Sequence, residues 1–280
     1  MEHTTLHLLY SRFIYKFLYD IGSAPTPEPY QRRTSHGMVL AEDNRKMSKS
    51  FGNVINPDDI VKEFGADALR VYEMFIGPFD QAIAWSTNGL KGCYRFLEKV
   101  YSRATEELGG SVSAEESAEN KKKLNKLINK TIKQVTQDTD NLKFNTAMSA
   151  LMVFMNESNG LHLQDEKEER GIFGKFLTIL SPFAPHLAEE LWREIGNKNS
   201  IFEEEWPKFD PKLMKEDKIT LMVQVNGRIR AQIEASSDIS EEEAKELAIS
   251  DEKVKNWIVG KDIKKVIFVP NKLINIVCAE

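Results

Sequence analysis

Helical periodicity dominates the middle of the sequence and limits most strongly how the chain can fold. Between Trp85 and Gly196, apolar residues recur three and four positions apart, which is the spacing of one face of an amphipathic helix. The stripes are Leu124, Leu127, Ile128, Ile132 and Val135; then Ala147, Leu151, Phe154 and Met155; then Ile172, Phe176, Ile179 and Leu180. Such helices bury their apolar faces against one another, so we predict an antiparallel helix bundle over residues 85–202, with a Ser-rich loop at 109–119.

The pattern changes after the bundle. Residues 203–218 are rich in proline and charge, and they read as a linker. From residue 219 apolar side chains alternate on both sides of Asn226-Gly227, the strongest local signal for a β-hairpin. A capped helix follows at Ser240, and two more strands turn at Pro270-Asn271. We therefore predict a small α+β domain over residues 219–280.

The first 84 residues are mixed. Apolar spacing predicts a helix over 3–21, with apolar residues on more than one side that would favour self-association. "HGMVLAE" (36–42) reads as a short buried strand. Asn56 is placed to cap a helix with Pro57 at its first position, and a further helix is expected over 67–76.

The loop between that strand and that helix carries the clearest chemical signal. In "DNRKMSKSFGNVINPDD" (43–59), Lys46 and Lys49 place two mobile positive charges among small residues that include Ser48 and Gly52. Such a loop can close over a polyphosphate and neutralise the charge that develops when a phosphoryl or nucleotidyl group is transferred. The N-terminus of the following helix adds a favourable dipole.

Other kinds of site find little support. No G-x-x-x-x-G-K-[ST] loop occurs, and the histidines have no metal-ligand spacing; His162 reads as a surface residue and His186 as a packed bundle residue. Cys93 and Cys278 lie far apart, which favours a reduced intracellular protein without a metal site. The net charge of −5 argues against a generally basic nucleic-acid coat but not against local basic patches, and the lysines of 120–133 read as a solvated face. No apolar run is long enough to span a bilayer, so no membrane partner is expected.

The loop and its surroundings resemble the class I aminoacyl-tRNA synthetases. "KMSKS" (46–50) matches the second signature of that family, and "HGMVL" before it and "GNVINPDDIVKEFGADALRVYEMF" after it match the context of the motif in the enzymes for large aliphatic amino acids. "EHTTLHLLYSRF" and "PFAPHLAEELW" belong to the same pattern. "HLLYSRFIYKFLYDIG" and "VQVNGRIRAQI" resemble the leucine enzymes of bacterial type, and the resemblance covers essentially the whole chain.

The resemblance implies a multidomain, mainly α protein. Residues 1–84 would be the C-terminal part of a Rossmann-like catalytic domain, residues 85–202 a bundle of the anticodon-binding type, and residues 219–280 a small tRNA-binding α+β domain. It implies a cytoplasmic ligase of protein synthesis that joins leucine to ATP, supplied with Mg²⁺, and then moves leucine from the adenylate to tRNA(Leu).

The resemblance also implies roles for single residues. Lys49 first and Lys46 second match the lysines that hold the ATP phosphates and stabilise the departing pyrophosphate, with Ser48 between them. Met38 and Val39 match the segment beside the adenine, and His3 matches a position that lines the adenylate pocket. In the terminal domain, Arg228 and Arg230 alternate with Ile229, so they are expected to share one face and to contact tRNA phosphates or, equally, to be a solvated hairpin face.

The sequence also departs from a whole enzyme. The first signature, His-Ile-Gly-His, and an editing domain are absent, and residues 1–84 supply only a piece of a nucleotide-binding fold. The chain is then either a truncated product or one subunit of a split synthetase whose partner is the N-terminal catalytic half. We expect the isolated chain not to activate leucine. Two alternatives stay open: a non-catalytic tRNA-binding module, and the isoleucine or valine enzyme.

Overall fold

The structure, a computed structural model, describes residues 3–105, 112–214, 218–236 and 239–279. It is mainly helical with two small sheets. The chain divides into two compact units: residues 1–94 with 142–145, and residues 95–141 with 146–280. Within the described residues, no helix combines the length and the apolar character needed to cross a bilayer.

The first unit begins with a π-helical turn, His3–His7, that leads into helix α1 (Leu8–Asp20), as the predicted helix over 3–21 requires. None of the residues of α1 is buried. Arg12 and Lys16, one turn apart, bind the carboxylate of Glu28 in the segment that follows the helix. The polar side of α1 thus forms ion pairs with the following segment, whereas the apolar sides of the helix face solvent.

Two short strands form a parallel pair in this unit. Strand β1 (Val39–Leu40) pairs with strand β2 (Ile83–Ala84), and the connection between them carries helices α2 (Pro57–Phe64) and α3 (Ala66–Phe75). Parallel strands joined by a helical crossover are the unit of α/β folds. The prediction of a buried strand over 36–42 is wrong in extent and in burial, because β1 has a single neighbour in a two-stranded sheet and Val39 is 40% exposed.

Two features hold this sheet and its helices together. Gly37 lies so close to the chain at Gln81 that a Cβ atom would sit 1.7 Å from the Gln81 carbonyl oxygen, so only glycine fits there. Tyr72 packs edge-on against Trp85, with ring centroids 4.7 Å apart, and its hydroxyl accepts a hydrogen bond from the Ser86 amide. Burial raises the pKa of the neighbouring Cys93 thiol to about 12, which keeps it protonated.

The second unit contains most of the long helices. They are α4 (Thr87–Thr105), which begins in the first unit, α5 (Ala114–Asp140), α6 (Phe144–Glu157), α7 (Glu166–Leu180) and α8 (Pro185–Glu194). The predicted stripes are buried in this core apart from Leu127, which is half-buried. The predicted loop at 109–119 is wrong from residue 114 on, because Ser113 caps α5 and Glu115 and Glu116 favour its first turn; its residues 109–111 lie outside the described residues.

A buried ionic group lies among these helices. Arg103 on α4 donates to Glu169 on α7, which is 2% exposed, and to the Leu161 carbonyl. The second carboxylate oxygen of Glu169 accepts from the Leu163 amide. His162 lies 3.4 Å from Glu169 and is half-buried, so its assignment to the surface is wrong. His186, by contrast, is exposed rather than packed.

The segment predicted as a linker is docked on helix α5. Trp206 donates from its indole nitrogen to the Thr136 hydroxyl at 2.8 Å, and the Asp210 amide donates to Asn129 at 2.7 Å. A 3₁₀ turn at Pro211–Met214 packs against the same helix. Residues 203–214 therefore have a defined place in this unit.

A four-stranded sheet closes the chain. Its strands are β3 (Lys218–Val225), β4 (Arg228–Ser236), β5 (Ile263–Val269) and β6 (Leu273–Cys278), in the order β4-β3-β6-β5. Helices α9 (Glu241–Ser250) and α10 (Glu252–Ile258) pack on it. The predicted turn is confirmed, because Asn226 and Gly227 adopt φ of 51° and 78°, and Ser240 forms a capping box with Glu243.

Candidate functional site: a lysine loop and a basic hairpin

The lysine loop, residues 41–56, connects β1 to α2. Its first part turns back on itself, since the Ala41 amide donates to the Arg45 carbonyl at 2.9 Å and Asn44 takes a left-handed φ of 63°. This bond returns the chain to the end of β1. Lys46, the next residue, therefore lies beside the C-terminal end of a parallel strand, which is where α/β proteins bind nucleotides.

Asn53 organises the centre of the loop. Its side-chain oxygen accepts from the Ser48 amide at 2.8 Å, and its side-chain nitrogen donates to the Lys46 carbonyl at 3.4 Å. Ser48 in turn caps a 3₁₀ turn, Lys49–Phe51, that ends at Gly52 with φ 63°. Side-chain hydrogen bonds thus fix the backbone at Lys46 and at Lys49. Sequence reasoning missed Asn53; an Asn five residues after a Ser in a Gly-containing loop is its only sequence signal.

The lysine side chains themselves are exposed, and in the part of the chain that the structure describes neither ammonium group has an ion-pair partner. The two carboxylates that precede the lysines in the loop sequence, Glu42 and Asp43, are engaged elsewhere. Asp43 is paired with Arg45, whose side-chain hydrogen bond is the main cause that lowers the Asp43 pKa. Glu42 accepts from the Thr87 hydroxyl and amide, and these bonds lower its pKa in the same way.

Among the described residues the loop therefore presents two positive charges that have no ion-pair partner, on an ordered backbone. It ends at Asn56, whose side chain accepts from the Asp58 amide and caps α2 with Pro57 at the first position, as the sequence predicts. An ordered, partnerless pair of ammonium groups fits an anionic ligand, because binding costs no existing ion pair. Within the described residues no cluster of His, Cys, Asp or Glu is arranged to hold a metal ion.

The remaining residues predicted for the nucleotide lie at two places. Met38 and Val39 are 47% and 40% exposed, and the Met38 carbonyl accepts from the Ile83 amide, so the segment before the lysine loop is open to solvent on one side. His3 lies in the π-helical turn before α1, and its side chain is outside the described residues. The structure thus joins Met38 and Val39 to the loop directly through β1.

The second predicted surface is the tip of the β3–β4 hairpin. Arg228 is exposed beside the turn, whereas Arg230 is half-buried and its guanidinium lies over the ring of Trp257 on α10, 3.3 Å from the ring centroid. The expected alternation fails, because Ile229 is 55% exposed as well. Sequence reasoning missed Trp257, since a lone exposed Trp on a short helix carries no signal of its neighbour. Elsewhere, Lys121 and Lys123 are exposed and pair with Glu168 and Glu119.

Comparison with known proteins finds similarity to two protein families and to solved structures. Residues 121–246 match the family described as the anticodon-binding domain of tRNA ligase. Residues 18–86 match the family described as tRNA synthetases class I (I, L, M and V). The whole chain resembles a solved structure, the ternary complex of Agrobacterium radiobacter K84 agnB2 LeuRS with tRNA and LeuAMS, at 31% identity and a TM-score of 0.77, and it spans 36% of that protein's chain.

Proposed function

Since this chain belongs to the class I aminoacyl-tRNA synthetases, we propose that it is the part of a leucine–tRNA ligase that carries the phosphate-binding loop and the tRNA-binding domains. Residues 1–84 are then the end of the catalytic domain, residues 85–202 an anticodon-type bundle, and residues 219–280 a terminal tRNA-binding domain. The single observation that carries the catalytic role is the ordered lysine loop with its two unpaired ammonium groups.

The proposed chemistry follows from charge. The carboxylate of leucine attacks the α-phosphorus of ATP, a carbon-bound oxygen forms a new bond to phosphorus, and the bond to the bridging oxygen of pyrophosphate breaks. Negative charge increases on the departing pyrophosphate. Lys49 and Lys46 stabilise that charge more strongly in the transition state than in the ground state, and Ser48 offers a hydroxyl beside them. Mg²⁺ binds as a complex with the nucleotide and neutralises part of the phosphate charge.

The adenine end of the nucleotide would lie along Met38 and Val39, which are exposed at the start of the loop, and His3 would line the adenylate. A complete ATP-binding site needs more β-strands than the described residues of this chain supply. The described residues before α4 hold one pair of two-residue strands, whereas a doubly wound nucleotide fold builds its crevice from several βα units. We therefore expect no leucine activation by the 280-residue chain alone.

The test is leucine-dependent ATP–pyrophosphate exchange by this chain supplied with the rest of a leucine-type catalytic domain, fused or as a separate subunit. Lys49→Ala is expected to lower the rate by about 100-fold, the scale of losing one preorganised charge-stabilising group. Lys46→Ala should lower it less. Lys62→Ala, an exposed lysine on α2, is the matched control and should leave the rate unchanged. Full activity with both loop lysines replaced by alanine would exclude the proposal.

A second candidate function is a non-catalytic tRNA-binding module, which the match of residues 121–246 to an anticodon-binding domain favours. It predicts salt-dependent binding of leucine-specific tRNA with no exchange activity even after the catalytic domain is completed. Exchange with isoleucine or valine in place of leucine would instead assign the chain to one of those enzymes. The reaction belongs to protein synthesis, so we place the chain in the cytoplasm.

A further inference from the structure

We infer that Arg230 and Trp257 form a stacking platform for an unpaired base of the bound tRNA. The inference rests on the proposed function, because it takes the chain to bind tRNA. It assigns to Trp257 a ligand that nothing in the family comparisons gives it, and it gives Arg230 a role other than a simple phosphate contact.

The platform exists because the hairpin contains a β-bulge. Strand β3 pairs Val223 with Ala231 but Gln224 with Ile229, so Arg230 has no partner on β3. From Ala231 onward, buried and exposed side chains alternate regularly along β4. An undisturbed strand would bury Ile229 and expose Arg230; the bulge exposes Ile229 and turns Arg230 towards helix α10.

The contact places the guanidinium over an indole ring. The central carbon of the Arg230 guanidinium is 3.3 Å from the centroid of the Trp257 ring, which is well within the range of a cation–π contact. Within the described chain Arg230 has no carboxylate partner, and its Nε atom is buried without a hydrogen bond. Stacking, rather than an ion pair, therefore fixes this side chain.

The surface around this pair is accessible and lacks competing negative charge on the hairpin tip. Trp257 remains 44% exposed although Arg230 covers part of its ring. Arg228 is exposed at the neighbouring turn, and α10 carries Lys253 and Lys255. Asp251 and Glu252 lie at the start of α10, α9 carries Glu241, Glu242, Glu243 and Glu246, and the hairpin tip from residue 226 to 230 has no acidic residue.

A flat, cationic and partly exposed stack matches the chemistry of a nucleobase. Unpaired RNA bases stack on aromatic rings and on guanidinium planes, whereas bases inside a duplex have no free face. A phosphate needs only charge, which Arg228 supplies beside the stack. In this arrangement Arg228 contacts the phosphate backbone of the RNA, and the Arg230–Trp257 platform holds one unpaired base.

The experiment compares two RNA probes on the full chain: a transcript of a leucine-specific tRNA and a fully paired RNA duplex without loops. Trp257→Ala is expected to weaken binding of the tRNA by about 10-fold, the scale of one lost base–aromatic stack, and to leave the duplex unaffected. The slope of log affinity against log salt should not change, because no charge is lost. Val259→Ala, at a 75% exposed position two residues further on, is the matched control.

Three further variants distinguish loss of the platform from simple unfolding and from loss of charge. Trp257→Phe retains an aromatic ring and should keep most of the tRNA affinity, and Arg230→Lys retains the charge but loses the planar stack, so it should resemble Trp257→Ala. Arg228→Gln should instead weaken both probes and reduce the salt slope. Melting temperatures by circular dichroism establish that each variant is folded.

The outcomes separate the inference from the proposed function. Wild-type binding of the tRNA with no loss in Trp257→Ala or Arg230→Lys would overturn the platform and leave the proposed function standing. An equal loss for tRNA and duplex would also overturn the platform, because a duplex offers no base to stack. Failure of the wild-type chain to bind tRNA at any salt concentration would overturn both.

Discussion

At the scale of single residues, Asn53 is the side chain on which the proposed phosphate chemistry most depends without touching the ligand. The side-chain oxygen of Asn53 accepts a hydrogen bond from the backbone N–H of Ser48, and its side-chain nitrogen donates one to the Lys46 carbonyl. These two bonds fix the backbone on both sides of Met47. The lysine side chains are long and mobile, but the backbone atoms that carry them are fixed in position. A loop whose backbone is ordered before the nucleotide binds loses less entropy when it closes.

Replacing Asn53 by alanine tests this positioning role. In Asn53→Ala we expect faster amide exchange at Ser48 in the chain as it is, because the Ser48 amide loses its acceptor. In the completed enzyme, pyrophosphate exchange should fall by roughly 10-fold, since a displaced loop loses alignment with the phosphates. Asn88→Ala, at an exposed position in the first turn of α4, should change neither. Unchanged exchange at Ser48 would show that Asn53 does not hold the loop.

Residue-scale features were predictable from the sequence where the signal is local. Asn56 with Pro57, and Asn226 with Gly227, act through backbone conformations and hydrogen bonds within a few positions, and both are found as predicted. The Lys46 and Lys49 pair was likewise visible as a motif. The partners of Arg230 and His162 were not, because Trp257 and Glu169 come from other elements and only tertiary packing brings them near.

At the scale of elements, helix α1 is held to the chain that follows it mainly by the carboxylate of Glu28. Glu28 accepts from Arg12 at 2.9 and 2.8 Å and from Lys16 at 2.6 Å, and Tyr15 bonds the Thr26 hydroxyl nearby. Hydrogen bonds, first from Arg12 and then from Lys16, lower the Glu28 pKa from 4.5 to about 2. Because the folded pKa lies below the unfolded one, this clamp stabilises the fold above pH 4.5 and is lost as the pH falls towards 2.

The clamp predicts a pH-dependent difference between the wild type and Glu28→Gln. At pH 6 the variant should show faster amide exchange along α1, after correction for the intrinsic pH dependence of exchange. The difference should shrink as the pH is lowered through the interval from 4.5 to about 2, where Glu28 takes up a proton. Asp20→Asn, on the same exposed helix, is the control for removing a carboxylate. A difference that persists at the acid end would contradict the assigned clamp.

Element types followed from periodicity, but their ends and registers did not. The helices of the second unit bury the predicted stripes, because a helical pattern fixes which face is apolar. The start of α5 differs from the loop predicted over 109–119, because Ser113 caps the helix and acidic residues favour its first turn. The bulge at Arg230 could not be foreseen, because it depends on how β4 pairs with β3 rather than on either strand alone.

At the scale of the whole molecule, helix α1 presents an extended apolar surface to solvent. Exposed large apolar residues recur along it; they are Leu9, Tyr10, Phe13, Ile14, Phe17 and Leu18. Leu9, Phe13 and Phe17 stand one turn apart, as do Tyr10, Ile14 and Leu18, so two adjacent stripes form one broad surface. Contiguous apolar patches of this kind mark contact surfaces, and under the proposed function the rest of the catalytic domain would cover this one.

The 280-residue chain on its own should therefore associate through α1. Sedimentation velocity is expected to show an average mass that rises with concentration, and the double variant Leu9→Lys with Phe13→Lys should remain monomeric, because two charges on one stripe oppose its burial. Val153→Lys, at a 46% exposed apolar position on α6, is the matched control and should associate like the wild type. Addition of the remaining catalytic domain should suppress the association of the wild type, because that domain and a second copy of the chain would compete for the same apolar surface of α1. A wild-type chain that stays monomeric at all concentrations would show that α1 is not a contact surface.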